Sequence, residues 1–317
     1  MASLVVVGSV AYDSVETPFG KVEEALGGAA TFASIAAAYF TEVQIVGAVG
    51  LDFRKRDVSL LESRNIDLSG LDFLPGLTFR WSGHYGYDLN DAQTLDTQLN
   101  VLADFRPNLP KHYRSSEYLF LGNFDPELQR EVLQQVEKPK LVACDTMNYW
   151  IEEHFTSLIE TLKGVGLLLI NDGEARQLSR EPNLVRAAEK ILGWGPRVLV
   201  VKRGEYGALM FRREKGGGLD IFAAPAYPLA DVLDPTGAGD TFAGGFMGYL
   251  AGTGLSDRHA LRQAVIFGSV MASFTVEGFS LDRLKEVTLT EIEIRYQELQ
   301  RMTRFDDFAQ PREKILS

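Results

Sequence analysis

Residues 234–250 read DPTGAGDTFAGGFMGYL. A glycine-rich turn, Gly237-Ala238-Gly239, leads directly into Asp240 and an apolar helix expected from about Thr241. Small residues let the backbone turn tightly and approach a ligand closely. The first amides of the following helix lack intrahelical partners, so they can point at a phosphate or a transferring phosphoryl group. A carboxylate at the mouth of such a nest can take a proton from a hydroxyl while the amides hold developing negative charge. Asp is also a common helix N-cap and Gly a common turn residue, so spacing alone leaves both readings open. The GxxxxGK[ST] pattern of a P-loop is missing, because no Lys follows the glycines, and Gly8 lacks the partners a dinucleotide fingerprint needs.

Upstream, short apolar runs at residues 4–7, 43–49, 118–121, 140–144, 167–170 and 197–201 alternate with helical stretches at 29–40, 54–61, 126–136, 151–162 and 185–192. This rhythm predicts βαβ units and an α/β fold, with a mostly parallel central sheet flanked by helices. Residues 207–213 and 219–223, joined through Gly216-Gly217-Gly218, predict a hairpin. After the glycine-rich turn, a helix is expected over 257–273. Thr288 and Glu291, at capping-box spacing, predict another that fades near Arg304. Residues 77–87 and 94–101 break the rhythm with an extended, aromatic and polar stretch around a turn at 86–91. They predict a small antiparallel flap, a β lid drawn from about residues 13–20 and 77–103, or else an edge hairpin without a substrate role. No repeat or linker divides the chain, so one domain is expected over residues 1–317.

Composition narrows the function. Hydrophobic residues make up 45% of the 317 and charged residues 24%, as in an ordinary globular protein. Lys and Arg number 32 against 43 Asp and Glu, a net charge of -11, which argues against a nucleic-acid or anionic-membrane surface. Cys144 is alone, which excludes an internal disulfide and a cysteine-rich metal site. No signal-peptide pattern opens the chain and no apolar run approaches a membrane span, so a cytoplasmic location is the expectation.

The segment from Asp234 to Gly245 resembles the C-terminal signature of the ribokinase-like (PfkB-type) carbohydrate and nucleoside kinases. Supporting elements run in the family order: Gly27-Gly28-Ala29-Ala30, the stretch Val46 to Asp52, Asn171-Asp172-Gly173-Glu174, and Val201 to Gly207. The resemblance covers nearly the whole chain. It implies a ribokinase-like sheet with a small lid, and ATP with Mg²⁺ as phosphoryl donor. It implies that Asp240 is the base, with Gly237, Ala238 and Gly239 forming the anion hole for the γ-phosphoryl group. Asn171 and Glu174 would organise Mg²⁺ and phosphates, partly through water; Glu174 also reads as a first-turn acid satisfying local amides. Lys202, Gly204 and Gly207 would lie on the nucleotide side, with the backbone at Gly204 the firmer element. Asp234, Thr236, Gly278 and Ser280 resemble positions that hold a monovalent cation such as K⁺, although Asp234 could simply cap its turn.

On the acceptor side, Asp13 resembles the family acid that hydrogen-bonds sugar hydroxyls, and Gly27 and Gly28 would line the pocket with amides. Phe32 stands where ribokinase-type members carry an Asn, and Lys55 where Asp52 is usually followed by a Gly. Phe32 therefore faces either the core or the acceptor as an apolar wall. Trp81 and the other lid aromatics could pack on a sugar or a base, and Asn123 and Asn148 could supply directional hydrogen bonds. Arg80 and Arg106 are candidates for a phosphorylated acceptor. The expected activity is phosphoryl transfer from ATP to a small sugar or polyol. The alternatives are a nucleoside kinase of the same fold and an inactive metabolite-binding protein. An extended flap has edges to cover, so a homodimer through the lid is a further expectation.

Overall fold

The structure is a computed structural model and describes residues 3–214 and 216–304. In chain order the strands are β1 (Ser3–Val7), β2 (Ala11–Thr17), β3 (Gly20–Gly27), β4 (Glu42–Gly50), β5 (Ile66–Leu74), β6 (Phe79–Tyr85), β7 (Ala92–Gln98), β8 (Tyr118–Leu121), β9 (Leu141–Cys144), β10 (Leu167–Asn171), β11 (Val198–Lys202), β12 (Ala208–Arg213) and β13 (Leu219–Ala224). The helices are α1 (Ala29–Ala37), α2 (Lys55–Ser63), α3 (Pro126–Leu133), α4 (Asn148–Glu153), α5 (Phe155–Leu162), α6 (Asp172–Ser179), α7 (Leu184–Leu192), α8 (Ala238–Thr253), α9 (Arg258–Thr275) and α10 (Leu289–Thr303).

The main sheet has the order β13-β12-β11-β10-β9-β8-β1-β4-β5. It is parallel from β5 through β11, and the β12–β13 hairpin closes one side antiparallel. Strand alternation sends Leu4 and Val6 into one hydrophobic core and Val5 and Val7 into the other. Both faces are covered, which is why the strands read as continuous apolar runs. The chain first builds β4 and β5 on one side of β1, then crosses to build β8 to β11 on the other. The crevice outside the carboxyl ends of β1 and β8 is thus a topological switch point, where such sheets bind ligands.

A second, four-stranded sheet of order β3-β2-β6-β7 forms the lid. It corrects two expectations. It is mixed rather than antiparallel, because β2 and β6 pair in parallel. It also draws on residues 11–27 rather than 13–20, because β3 completes a hairpin whose polar sequence, GKVEEALG, hid its strand character. Strand β5 was likewise missed, and the helix expected over 151–162 is divided into α4 and α5 around His154.

Helix α8 is fitted to α1 by small residues. A Cβ at Gly244 would strike the backbone of Ala33, and one at Gly248 that of Ala37. The close approach sets the N-termini of both helices at the crevice. Farther away, Asp220 on β13 ties the hairpin to α9: its carboxylate accepts from Arg258 (2.6 and 2.8 Å), Arg262 (2.9 Å) and Arg212 (3.2 Å). Those arginines, led by Arg258, hold its pKa down at about 2. A depressed folded pKa contributes stability above the unfolded value that is lost as pH falls through the folded one. Asp220→Ala is expected to cost about 2 kcal/mol at pH 7, below the value for a fully buried pair because Arg258 is half exposed. Urea titrations should show this cost shrinking toward pH 2; a cost independent of pH would contradict the charge-based account.

Candidate active site

Two helix N-termini meet at the crevice, and their amides differ. At α1, Gly28 N–H donates to Asp13 Oδ2 (3.4 Å), Ala29 N–H to Ser9 Oγ (3.1 Å) and Ala30 N–H to the Ser9 carbonyl (2.9 Å). At α8, Ala238 N–H donates to the Pro235 carbonyl (3.2 Å) and Thr241 N–H to that of Gly237 (2.8 Å). The amides of Gly239 and Asp240 have no protein partner among the described residues. Only α8 therefore offers free donors to an anion, in a site where the helix dipole also favours negative charge.

Gly237 makes that presentation possible. It precedes the helix with φ 75°, in the left-handed region, and a Cβ there would run into the Phe32 ring. Phe32 is 1% exposed. This corrects its assignment to the acceptor: the ring is a core residue beneath the glycine turn, and no wall of the pocket.

Asp240 lies in the first turn of α8. Burial pushes its carboxyl up to about 7, with the charge of Asp145 adding and that of Lys202 opposing. Asp13, on β2 of the lid, is also raised to about 7, chiefly by burial; its bond from Gly28 opposes, and Asp234 and Asp240 add. Asp13, Asp234 and Asp240 all act on the Tyr85 hydroxyl, which places the three acids around one space. A Cβ at Gly27 would collide with the Asp13 carboxylate. The glycine pair thus makes room for that acid, and Gly28 spends its amide on it, correcting the expectation that both glycines present amides to an acceptor.

The lid face bearing Asp13 also bears Trp81, its partner in the β2–β6 register. Trp81 is half-buried, and its indole N–H donates to Thr94 Oγ1 (3.3 Å). Four residues on, Tyr85 is buried, and its hydroxyl accepts from Thr236 Oγ1 (3.3 Å), joining the lid to the glycine-rich turn. Asn123 follows β8 and accepts at Oδ1 from Trp150 Nε1 (2.9 Å), and its NH₂ has no protein partner among the described residues. Asn148 starts α4 and accepts from the Tyr149 amide (3.0 Å). Arg80 is committed to Asp52 (2.8 Å) and Glu24 (3.1 Å), and Arg106 donates to the carbonyl of Phe105, its neighbour in the chain; neither is brought to the acceptor side.

On the opposite wall, Asn171 and Lys202 are register partners on β10 and β11. Asn171 and Glu174 form a capping box on α6: Asn171 N–H donates to Glu174 Oε2 and Glu174 N–H to Asn171 Oδ1, both 2.7 Å. Glu174 is nonetheless raised to about 7, first by burial and then by the Asp145 charge. Lys202 Nζ pairs with Asp145 Oδ2 at 2.9 Å and lies 3.1 Å from where a Gly239 Cβ would sit. Gly204 follows with φ 54°, and a Cβ there would meet Asn90 Oδ1 from the lid turn. Gly207, at φ 83°, closes this loop by accepting from Arg203 N–H (2.8 Å).

Asp145 was not anticipated from the sequence. The available signal was a carboxylate directly after a parallel strand, at the sheet edge where ligands bind. Asp234, Thr236 and Ser280 are brought together: Asp234 accepts from the Thr236 amide (2.9 Å) and the Ser280 amide (3.2 Å), and Ser280 Oγ donates to the Leu26 carbonyl (2.5 Å). Asp234 does cap its turn. It is also 1% exposed, raised by burial, and has no ion-pair partner among the described residues. Gly278 lies on the same returning loop, its amide donating to the Thr275 carbonyl (3.3 Å).

The profile of the pfkB family carbohydrate kinases matches residues 1–285. The chain belongs to this family. A cytidine kinase from Thermococcus kodakarensis is 31% identical over 262 residues, covering 81% of this chain and 92% of that one. Among solved structures, the nucleoside kinase of Methanocaldococcus jannaschii, described as an archaeal member of the ribokinase family, superposes with a TM-score of 0.74 at 20% identity, over 94% of this chain and 99% of that one. The Burkholderia thailandensis nucleoside kinase in complex with inosine gives 0.73 at 18% identity, over 93% and 97%. As a pfkB family member, the chain is an ATP-dependent phosphotransferase of ribokinase-like fold. No helix among the described residues is long and apolar enough to cross a membrane.

Proposed function

We propose that this pfkB family member is a nucleoside kinase that transfers the γ-phosphoryl group of ATP to the hydroxymethyl group of a nucleoside, with Asp240 as general base. The observation that carries the chemistry is the pair of free amides at Gly239 and Asp240, with the Asp240 carboxyl in the same turn. The amides would receive the phosphoryl oxygens while Asp240 takes the acceptor proton, so positioning and electrostatics supply the catalysis. The sequence had placed a sugar or polyol first. Similarity to a cytidine kinase over 92% of its length supports the nucleoside alternative.

Asp13 would read the ribose. An ionised carboxylate only accepts hydrogen bonds and suits a vicinal diol. A nucleoside whose ring diol faces Asp13 has one hydroxyl left for Asp240, the hydroxymethyl. The base would then extend toward the Trp81 face of the lid and the Asn123 amide. Asn171 and Glu174 are the residues that would hold Mg²⁺, through water. The fit rests on charge: Asp145, Glu174 and Asp240 surround the single ammonium of Lys202, and a divalent cation relieves that excess. Mg²⁺ would supply shielding of the donor phosphates. Asp234, with Thr236, Gly278 and Ser280 nearby, fits a monovalent cation for the corresponding reason: it is a buried carboxylate without a cationic partner among the described residues.

ADP formation measured across cytidine, other nucleosides, ribose, fructose and inositol tests the reading. Nucleosides should give the highest kcat/KM; a clear preference for a free sugar or inositol would reject the nucleoside assignment. In the same assay, Asp13→Asn should raise the nucleoside KM about 10- to 100-fold, the loss of a charge-assisted hydrogen bond, with the ATP KM unchanged. An unaltered nucleoside KM would remove Asp13 from the acceptor site.

A further inference from the structure

The Asp145–Lys202 pair is costly and oddly placed for a structural bond. Asp145 is 5% exposed and the Lys202 side chain 16% exposed, and hydrophobic residues of similar volume serve stability as well or better at such sites. The pair spans from the end of β9 across β10 to the end of β11. The carboxylate is rigidly held. The Asp145 amide donates to the Leu121 carbonyl (2.8 Å), its Oδ1 accepts from the Thr146 amide (2.8 Å), and its carbonyl accepts from Gln129 Nε2 (3.1 Å). Lys202 is a compact charge on a flexible stem.

Three carboxylates face this ammonium, and among the described residues only Asp145 bonds it. Glu174 is occupied by the Asn171 amide, and Asp240 makes no ion pair among the described residues. Asp145 alone therefore fixes where the ammonium rests, and it rests beside Gly239, at the free amides of α8.

Resting on the kinase reading above, we propose that Lys202 is a catalytic cation for the transferring phosphoryl group, and that Asp145 is the positioning residue that holds it at the Gly239 turn. In the step itself, the acceptor oxygen forms the new bond to phosphorus and the bond to the β–γ bridging oxygen breaks. ADP leaves with that electron pair and Asp240 takes the acceptor proton. The Lys202 ammonium stays charged throughout and moves from the Asp145 carboxylate toward the equatorial oxygens.

The test is a double-mutant cycle with the nucleoside that the wild type turns over best. Lys202→Met should lower kcat about 100-fold, in the range for a lost oxyanion donor, with the nucleoside KM within about twofold. Asp145→Asn should lower kcat about 10-fold and leave the nucleoside KM within about twofold. The double variant should be no slower than Lys202→Met, because Asp145 acts only through Lys202. Lys202→Arg should recover part of the rate. Calorimetry gives a readout independent of turnover: wild type should bind ATP more tightly than ADP, and Lys202→Met should lose that preference. Additive losses in the cycle, a nucleoside KM raised more than about twofold in Asp145→Asn, or an intact preference for ATP in Lys202→Met would each overturn the inference. A wild type that forms no ADP with any acceptor would instead reject the kinase reading beneath it.

Discussion

Asp240→Asn is expected to retain ATP binding and lose about 10²- to 10⁴-fold in kcat, the usual worth of a positioned general base. Asparagine keeps the volume of the side chain and leaves the helix turn in place, so the loss isolates proton acceptance. The pH dependence follows from the same group. Burial raises Asp240 to about 7, and below that value it carries the proton it must accept. Asp13, also near 7, must be ionised to accept from the ribose diol. In the wild type, kcat/KM should therefore fall with a log slope approaching two below pH 7, since this parameter reports the free enzyme.

Stability should move in the opposite sense. A carboxyl whose folded pKa lies above its unfolded value holds more protons in the native state, so stability falls as pH rises between the two. At pH 8 the wild type must keep Asp240 charged in the crevice, and Asn removes that penalty. Asp240→Asn should melt at a higher temperature than wild type at pH 8, with the gap narrowing toward pH 4. A lower Tm at pH 8, or an undiminished kcat, would contradict the assignment.

Gly237→Ala should be nearly as damaging, with kcat falling about 100-fold. Misplacing catalytic groups by about 1 Å can cost that much. Gly237 sits at φ 75°, where an L-residue carries a strain of about 1–2 kcal/mol. The added methyl would also meet the Phe32 ring, which has no room to withdraw because it is buried among α1 and α8 residues. The turn must shift, and the Gly239 and Asp240 amides shift with it. Adding Phe32→Leu to Gly237→Ala trims the obstructing ring and should restore part of the rate. Full activity in the single variant would mean that the turn does not set the amides. A double variant no better than the single would mean that Phe32 is not the obstruction.

Most of the sheet was legible because its parallel strands other than β5 are largely apolar, as in Leu167–Ile170, and are separated by stretches of good helix formers such as the Ala-rich run of α1. Strand β5 was not, because Asp67, Ser69 and Asp72 interrupt its apolar residues. The glycine-rich turn was legible because its residues do local work: Gly237 supplies a left-handed bend and α8 begins at once. Strand β3 was not, because its exposed Glu23 and Glu24 give no hydrophobic alternation, and its pairing is set by β2 across the hairpin. Asp145 was overlooked for a different reason. Its partner Lys202 is 57 residues away, and only the strand order brings the two charges together. Phe32 was ambiguous because an apolar residue in the first turn of α1 can face either the crevice or the helix beneath it. The fit of α8 against α1, set by Gly244 and Gly248, resolves it into the core.

The central claim is that one turn of α8 holds both the phosphoryl group and the base that activates the acceptor. A crystal structure with a nucleoside and a non-hydrolysable ATP analogue tests it most directly. The account predicts a γ-phosphate oxygen on the Gly239 and Asp240 amides, and the nucleoside hydroxymethyl oxygen about 2.6–3.2 Å from the Asp240 carboxylate. A bound pair whose acceptor hydroxyl lies beyond reach of Asp240, or whose γ-phosphate rests away from those amides, would contradict it.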